Sequence, residues 1–290
     1  MRKQRTIVIA YLFLTPALLL LMVFTFYPII WGSLLSFFQY NIISPPKFVG
    51  LANFAGLLHD PKLLIAMRNS LLYLLVVPLI QIASIGLAIL VNRELRGISL
   101  FRAIYYLPVV TSIVVVAIIW RWILGDKGVI NGFLQLLHIS EGVHWLTNPS
   151  IALIAVMFVT FWKGLGYYMV IYLAGLSAIP PEMEEASKID GANKWQIFLR
   201  ITLPLLKPSI ALCSIISSIA ALKVFGEIYV MTEGGPLFST TTMVYYIYEE
   251  AFTKLHLGYA SAIALVLAVM IAMFSYINVR FFREGGLESY

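Results

Sequence analysis

Residues 184–208 read Glu-Glu-Ala-Ser-Lys-Ile-Asp-Gly-Ala-Asn-Lys-Trp-Gln-Ile-Phe-Leu-Arg-Ile-Thr-Leu-Pro-Leu-Leu-Lys-Pro. They form a charged island of seven ionisable side chains in an otherwise oily chain. Apolar stretches long enough to cross a bilayer lie on both sides of it. Ionisable groups gathered in such a sequence must face water and touch something.

Composition sets the frame. The 290 residues are 61% hydrophobic and 12% charged, with a mean hydropathy of +0.91. Soluble domains run at about 45–50% apolar and about 25% charged, so this is a membrane chain. The net charge of +6 is scattered between apolar spans. That placement suits membrane orientation and not a nucleic-acid-binding stripe. The single cysteine, Cys213, lies in an apolar span, which excludes a disulfide framework and a Cys/His metal spacing.

A spanning helix needs about 20 mainly apolar residues. Six segments qualify: Ile7–Ile30, Ser70–Val91, Ile104–Leu124, Ile151–Leu176, Leu205–Val230 and Ala260–Phe282. The first follows Arg2, Lys3 and Arg5, and its apolar run is longer than the roughly 7–15 residues of a cleavable signal, so it is expected to stay. In lipid every backbone amide must be bonded internally, which makes these segments helices and the fold all-α. The expected organisation is a first helix and external loop at 1–69, a five-helix core at 70–282 carrying the island loop at 181–204, and a tail at 283–290.

Loop charge decides orientation. Arg2, Lys3 and Arg5, then Arg93, Arg96 and Arg102, then Lys188, Lys194, Arg200 and Lys207, then Arg280 and Arg283, all fall on one side. Lys47, Lys62, Arg68, Lys127 and Lys254 fall on the other, with Arg121 at its edge. Basic residues concentrate inside, so the island and both termini are expected in the cytoplasm. The external loops hold Glu233-Gly-Gly-Pro236, a turn signal, followed by Tyr245, Tyr246, Tyr248 and Phe252, which with Tyr259 read as an interfacial aromatic belt or, alternatively, as a partner-docking surface.

Within the island, Pro181 with Glu182, Glu184 and Glu185 behind it marks a helix start. Ala186, Ile189 and Ala192 form a small apolar stripe, Gly191 permits a turn, and Pro204 closes the segment. One or two short helices outside the membrane are expected. A lipid-surface helix would be Lys/Arg-rich, whereas Glu182, Glu184, Glu185 and Asp190 would repel acidic headgroups. A groove on a protein partner suits the mixture better.

The spacing resembles the cytoplasmic loop signature of ATP-binding-cassette (ABC) importer permeases: Glu-Ala-Ala, three residues, Gly, nine residues, Ile-x-Leu-Pro. Here Glu185-Ala186-Ser187, Gly191 and Ile201-Thr202-Leu203-Pro204 keep every interval, and Ser187 for the second Ala is the one departure. Ile189-Asp190-Gly191-Ala192, Phe48-Val-Gly-Leu-Ala-Asn-Phe54, Phe101-Arg-Ala-Ile-Tyr-Tyr-Leu-Pro108, Met231-Thr-Glu-Gly-Gly-Pro236 and Gly258-Tyr-Ala-Ser-Ala262 resemble its carbohydrate-importing branch. The resemblance implies a type I importer permease in a prokaryotic inner membrane, paired with a second homologous permease. It also implies two ATPase subunits that hold ATP and Mg, and an external solute-binding protein. Glu184, Glu185, Ala186, Ser187, Asp190, Gly191, Ile201, Leu203 and Pro204 would form the ATPase-coupling surface, and Gly234, Gly235 and Pro236 would dock the binding protein.

The chain itself has no Gly-x-x-x-x-Gly-Lys-Ser/Thr loop for ATP, and no nucleophilic triad, zinc set or carboxylate pair. His59, His138, His144 and His256 fall in external loops and read as solvated. No enzyme and no bound cofactor are expected. Charges inside spans are costly and mark candidate sites. Lys223 and Glu227, four apart, could pair on one helix face. Lys163 follows Trp162 and precedes Gly164-Leu-Gly166-Tyr-Tyr168, where glycines let a ligand or a helix come close. Thr160, Trp162, Lys163 and Gly164 are therefore candidate pathway residues, with Lys223 beside them. In maltose-type permeases sugar contacts fall around the positions of Thr160, Gly164 and Ser217, of which Gly164 and Ser217 keep the expected type. The substrate could be an anionic sugar facing Lys163 or a neutral oligosaccharide. A secondary transporter is the alternative, but it would show inverted repeats and would leave the island unexplained.

Overall fold

The computed structural model describes residues 2–92, 97–139 and 142–284, with side chains at 11–92, 97–139 and 142–282. Arg93, Arg96 and the tail at 285–290 lie outside the described residues, as do the side chains of Arg2, Lys3, Arg5 and Arg283. Among the described residues five helices are long and apolar enough to cross a membrane, and a bent pair, counted as one span, would be a sixth. The five are α1 (Tyr11–Leu35), α2 (Pro61–Val91), α5 (Ala152–Ser177), the interrupted Lys207–Met231 and α10 (Leu257–Glu284). Helix α2 begins at Pro61 and not at Ser70: proline suits a first helical position, and Lys62, Arg68 and Asn69 keep these turns out of an apolar window.

The third segment is not one helix. It is α3 (Ile98–Val110) and α4 (Ile113–Ile123), bent by 97°. Thr111 and Ser112 are extended, with ψ of 138° and 135°. Val109, Val110, Thr111, Ile113, Val114 and Val115 are β-branched, a class with restricted helical rotamers. Pro108 further weakens the preceding turn by lacking an N–H. Thr111 Oγ1 donates back to Leu107 O at 3.0 Å and covers one carbonyl freed by the break.

Two units emerge. One comprises Met1–Asp60 with Tyr246–Val266, the other Pro61–Tyr245 with Leu267–Tyr290. In the first, strands β1 (Phe38–Gln39) and β2 (Lys47–Phe48) pair antiparallel. Asn53, from the Phe48–Phe54 motif, donates from Nδ2 to Ser36 O at 2.8 Å and Phe38 O at 3.0 Å. Asn53→Ala would strand both carbonyls, at about 1–3 kcal/mol each. The expected result is faster protease nicking of the 41–60 loop in the folded permease; an unchanged cleavage rate would show that the amide is dispensable.

The aromatic belt is partly a different structure. Tyr246 and Tyr259 donate to one carboxylate, Asp60 Oδ2, at 2.5 and 2.7 Å. Burial, and that bond, raise the Tyr246 phenol above its usual range. Buried Glu250 accepts from Lys254 at 2.6 Å and meets His256 Nδ1 at 3.0 Å. Burial pulls the Lys254 pKa down, but the bond to Glu250 and its charge outweigh this and leave it raised. Phe252 alone of the group is 71% exposed, as a belt residue should be. Tyrosine hydroxyls at low dielectric seek partners, and a carboxylate distant in sequence supplied one.

In the second unit α2, α3 and α5 pack together with α8 (Lys207–Leu222) around Tyr73, Val76, Ile80, Val159, Met169 and Tyr172. Gly166 marks the tightest crossing. A Cβ there would stand 2.0 Å from Tyr105 O. Small residues at helix crossings are how membrane helices gain packing.

Candidate functional site

A cavity of about 560 Å³ opens in the second unit. Its lining includes Thr160, Lys163, Gly164, Tyr167 and Tyr168 from α5, Val76, Val77 and Ile80 from α2, and Val109 at the end of α3. Ile216, Ser217 and Ala220 of α8 and the stretch 223–227 complete it. Thr160, Lys163, Gly164, Ser217 and Lys223 are thus brought together. Trp162 is not: its indole stands edge-on to Trp120 at 5.3 Å, on another face of α5. Neighbouring helical positions point about 100° apart, so 162 and 163 cannot share a direction.

The polar groups in the wall are mostly committed. Tyr73 OH and Thr160 Oγ1 lie 2.5 Å apart, and Thr160 Oγ1 donates to Glu227 Oε1 at 3.2 Å. Lys163 Nζ donates to Val109 O at 3.2 Å, satisfying a second carbonyl freed by the bend. Ser217 Oγ donates to Cys213 O at 2.7 Å and accepts from Gln81 Nε2 at 2.8 Å, while Tyr172 OH donates to Gln81 Oε1. This network ties α2, α5 and α8 together, and Gln81 and Tyr172 were not among the expected residues.

Lys223 and Glu227 make no ion pair among the described residues. Helix α8 ends at Leu222, and α9 (Gly226–Met231) starts only after Phe225. The four-residue spacing assumed a continuous helix, and the break turns Glu227 toward Thr160 instead. At Gly226 a Cβ would come within 3.1 Å of Ile113, which shows why a glycine follows the break. Glu227 thus lines the cavity beside Lys163 and Lys223, bonded to Thr160 where helical spacing assigned it to Lys223.

The island folds as expected in outline. Helix α6 (Pro181–Ile189) carries Lys188 paired to Glu184 at 2.8 Å, and Ser187 Oγ donates to Met183 O at 2.6 Å. Gly191 then takes φ +82°, the left-handed region that favours glycine. Helix α7 (Lys194–Ile197) starts on a capping box: Asn193 Oδ1 accepts from Gln196 N and Gln196 Oε1 from Asn193 N. Helical turns continue through Ile201 and Leu203, so Pro204 does not stop them; it sits in the first turn of the segment Leu203–Leu205, where no N–H is needed. Glu184, Glu185, Ala186, Asp190 and Gly191 are all exposed, and Ile189 is 87% exposed.

The Glu233–Pro236 turn is held from below. Thr241 Oγ1 donates to Gly234 O at 3.0 Å, Thr240 Oγ1 to Gly235 O at 2.7 Å, and both threonines are buried. Gly234 is itself buried, with φ +79° and room for no side chain beside Tyr245. Gly235 and Pro236 line a second cavity of about 410 Å³ with Arg121, Asp126 and Glu233. The tip beyond them carries Leu237, 83% exposed. His144 meets Asp126 at 2.9 Å and His256 meets Glu250, so these exposed histidines are partnered as well as solvated. Among the described residues no three His, Cys, Asp or Glu side chains form a metal-holding group.

Comparison with known proteins now places the chain. Residues 80–283 match the family described as binding-protein-dependent transport system inner membrane component. The probable ABC transporter permease protein YurN of Bacillus subtilis is 36% identical over 97% of this chain and 98% of its own length. The lactose transport system permease protein LacF of Rhizobium radiobacter is 36% identical over 94% of each. A bacterial ABC transporter involved in import of the acidic polysaccharide alginate superposes with a TM-score of 0.85 at 26% identity, covering 98% of this chain and 99% of that one. A bacterial alginate ABC transporter in complex with alginate pentasaccharide-bound periplasmic protein superposes equally well, with a TM-score of 0.85 at 26% identity over 98% of this chain and 96% of that one. With most of its length inside that family match, the chain belongs to the binding-protein-dependent inner membrane components and is a permease of an ABC importer.

Proposed function

We propose that this permease forms half of the membrane pathway for a sugar, the 560 Å³ cavity being the place where the solute is held in transit. The observation that carries the reading is the meeting of Lys163, Glu227, Thr160 and two tyrosines in one cavity lined by the central parts of three apolar helices. Charges so placed are costly and serve a solute, while tyrosine rings and aliphatic walls suit the apolar faces of a pyranose. The lactose permease and alginate transporter among the similar proteins support the same class.

In this reading a second, homologous permease completes the pathway, and an external solute-binding protein delivers the sugar at the side of Gly235, Pro236 and the exposed Leu237 tip. Two ATPase subunits, which hold the ATP and Mg, engage the Glu184–Pro204 loop from the cytoplasm, where both termini also lie. The bare Ile189 supports the protein docking surface. This chain contributes no catalysis and no cofactor, and it has no nucleic-acid partner.

Replacing Lys163 with alanine tests the pathway. Loss of one charge-assisted hydrogen bond corresponds to about 1.5–3 kcal/mol, so the half-saturating solute concentration for uptake is expected to rise roughly tenfold or more. Association with the ATPase should be unchanged. Identical uptake kinetics for every sugar tried would remove Lys163 from the pathway.

A further inference from the structure

We propose that Glu227 makes this cavity selective for uncharged, hydroxyl-rich saccharides and against acidic ones. The inference rests on the reading of the cavity as the sugar pathway and adds to it the charge class of the sugar.

Three observations carry it. First, Glu227 lines the cavity without a direct counter-ion. Its carboxylate is bonded by Thr160 Oγ1 at 3.2 Å, and no ion pair to it occurs among the described residues. Second, the cations of the wall leave Glu227 without an ion pair. Lys163 gives one of its three N–H donors to Val109 O and keeps the others for a ligand. Lys223 is exposed where α8 ends, so solvent screens its charge. Third, the serine and threonine hydroxyls of the wall are committed. Ser217 is locked between Cys213 O and Gln81, and Thr160 between Tyr73 and Glu227. The strongest remaining acceptor facing the cavity is therefore a carboxylate, opposite an ammonium donor.

A neutral saccharide matches both. Each hydroxyl can donate to Glu227 and accept from Lys163, and neither pairing brings like charges together. A uronate or phosphorylated sugar has no such freedom. Its anion could pair with Lys163 only while held close to Glu227, whose like charge opposes it. The cost is the same whichever hydroxyls the sugar carries, so the selection is by charge.

The test uses the full permease complex carrying Ala220→Cys, at an exposed position of the cavity wall. The native Cys213 is buried and serves as an unreactive background. Labelling rates are measured with an anionic and a cationic methanethiosulfonate reagent, with and without maltotriose or trigalacturonate as competitor. In the parent, maltotriose is expected to slow labelling and trigalacturonate is not. Glu227→Gln should raise the anionic rate relative to the cationic by about tenfold, one unit charge at close range, and should let trigalacturonate protect. Protection of the parent by both sugars alike, or an unchanged rate ratio in Glu227→Gln, overturns the selectivity while leaving the pathway in place. Protection by neither sugar in parent or variant overturns the pathway reading and the selectivity with it.

Discussion

Gly191→Pro is expected to abolish solute uptake while leaving the permease inserted in the membrane. Gly191 has φ +82°, and proline is confined near −65°, so the turn after α6 cannot form. Proline also removes the N–H that Gly191 gives to Lys188 O at 3.1 Å, and it disfavours helical backbone at Asp190. A loss of about 3 kcal/mol at such a site is roughly a hundredfold in the population of the docking-competent loop. Glu185→Lys reaches the same end by another route. Glu185 is exposed, and charge reversal there leaves the fold of α6 intact while placing a repulsive charge in the proposed ATPase groove. Membrane fractionation, pull-down with the ATPase subunit and uptake assays separate these effects. Both variants should be present in membranes, fail to retain the ATPase and fail to transport. Normal uptake in both would remove the loop from coupling.

Much of this architecture can be read from residues alone, and the physical reason is plain. Hydrocarbon leaves the backbone one way to satisfy its amides, so hydropathy reports helices directly. The exposed island is legible because seven ionisable groups have no place in lipid. The breaks are less legible. Val109–Val115 scores as apolar whether it is straight or bent, and only its density of β-branched residues and Pro108 signal the 97° turn. The partner of Glu227 was concealed by the same blindness, since an i,i+4 pairing with Lys223 presumes a helix that the structure interrupts. Gly226 beside it was the available clue. Trp162 shows the opposite error, in which chemical suitability for a sugar overrode the rotation between adjacent helical positions. The anchoring of Tyr246 and Tyr259 to Asp60 joins residues 186 and 199 apart in sequence, a separation that no local pattern reports.

Gly166→Ala should destabilise the permease far more than Gly164→Ala, although the two glycines stand on the same helix. A Cβ at Gly164 would meet Ile80 Cδ1 at 2.4 Å, the free end of a flexible side chain. A Cβ at Gly166 would meet Tyr105 O at 2.0 Å, Tyr105 C at 2.7 Å and Tyr106 Cα at 3.0 Å, all backbone atoms of α3. Rotamers can absorb the first clash, whereas only separation of α3 from α5 can absorb the second. Overpacking commonly costs about 1–3 kcal/mol, and a backbone clash belongs at or above the top of that range. Separation has a functional consequence as well. Tyr105 and Val109 lie one turn apart on α3, as Gly166 and Lys163 do on α5, so prising the helices apart at 166 also draws Val109 O away from Lys163 Nζ. Thermal unfolding of the detergent-purified permease should therefore rank wild type above Gly164→Ala, and Gly164→Ala well above Gly166→Ala. Adding Ile80→Val, which deletes the clashing methyl, should restore Gly164→Ala and do nothing for Gly166→Ala. Equal stability of the two glycine variants would show that the α3–α5 crossing can open without loss.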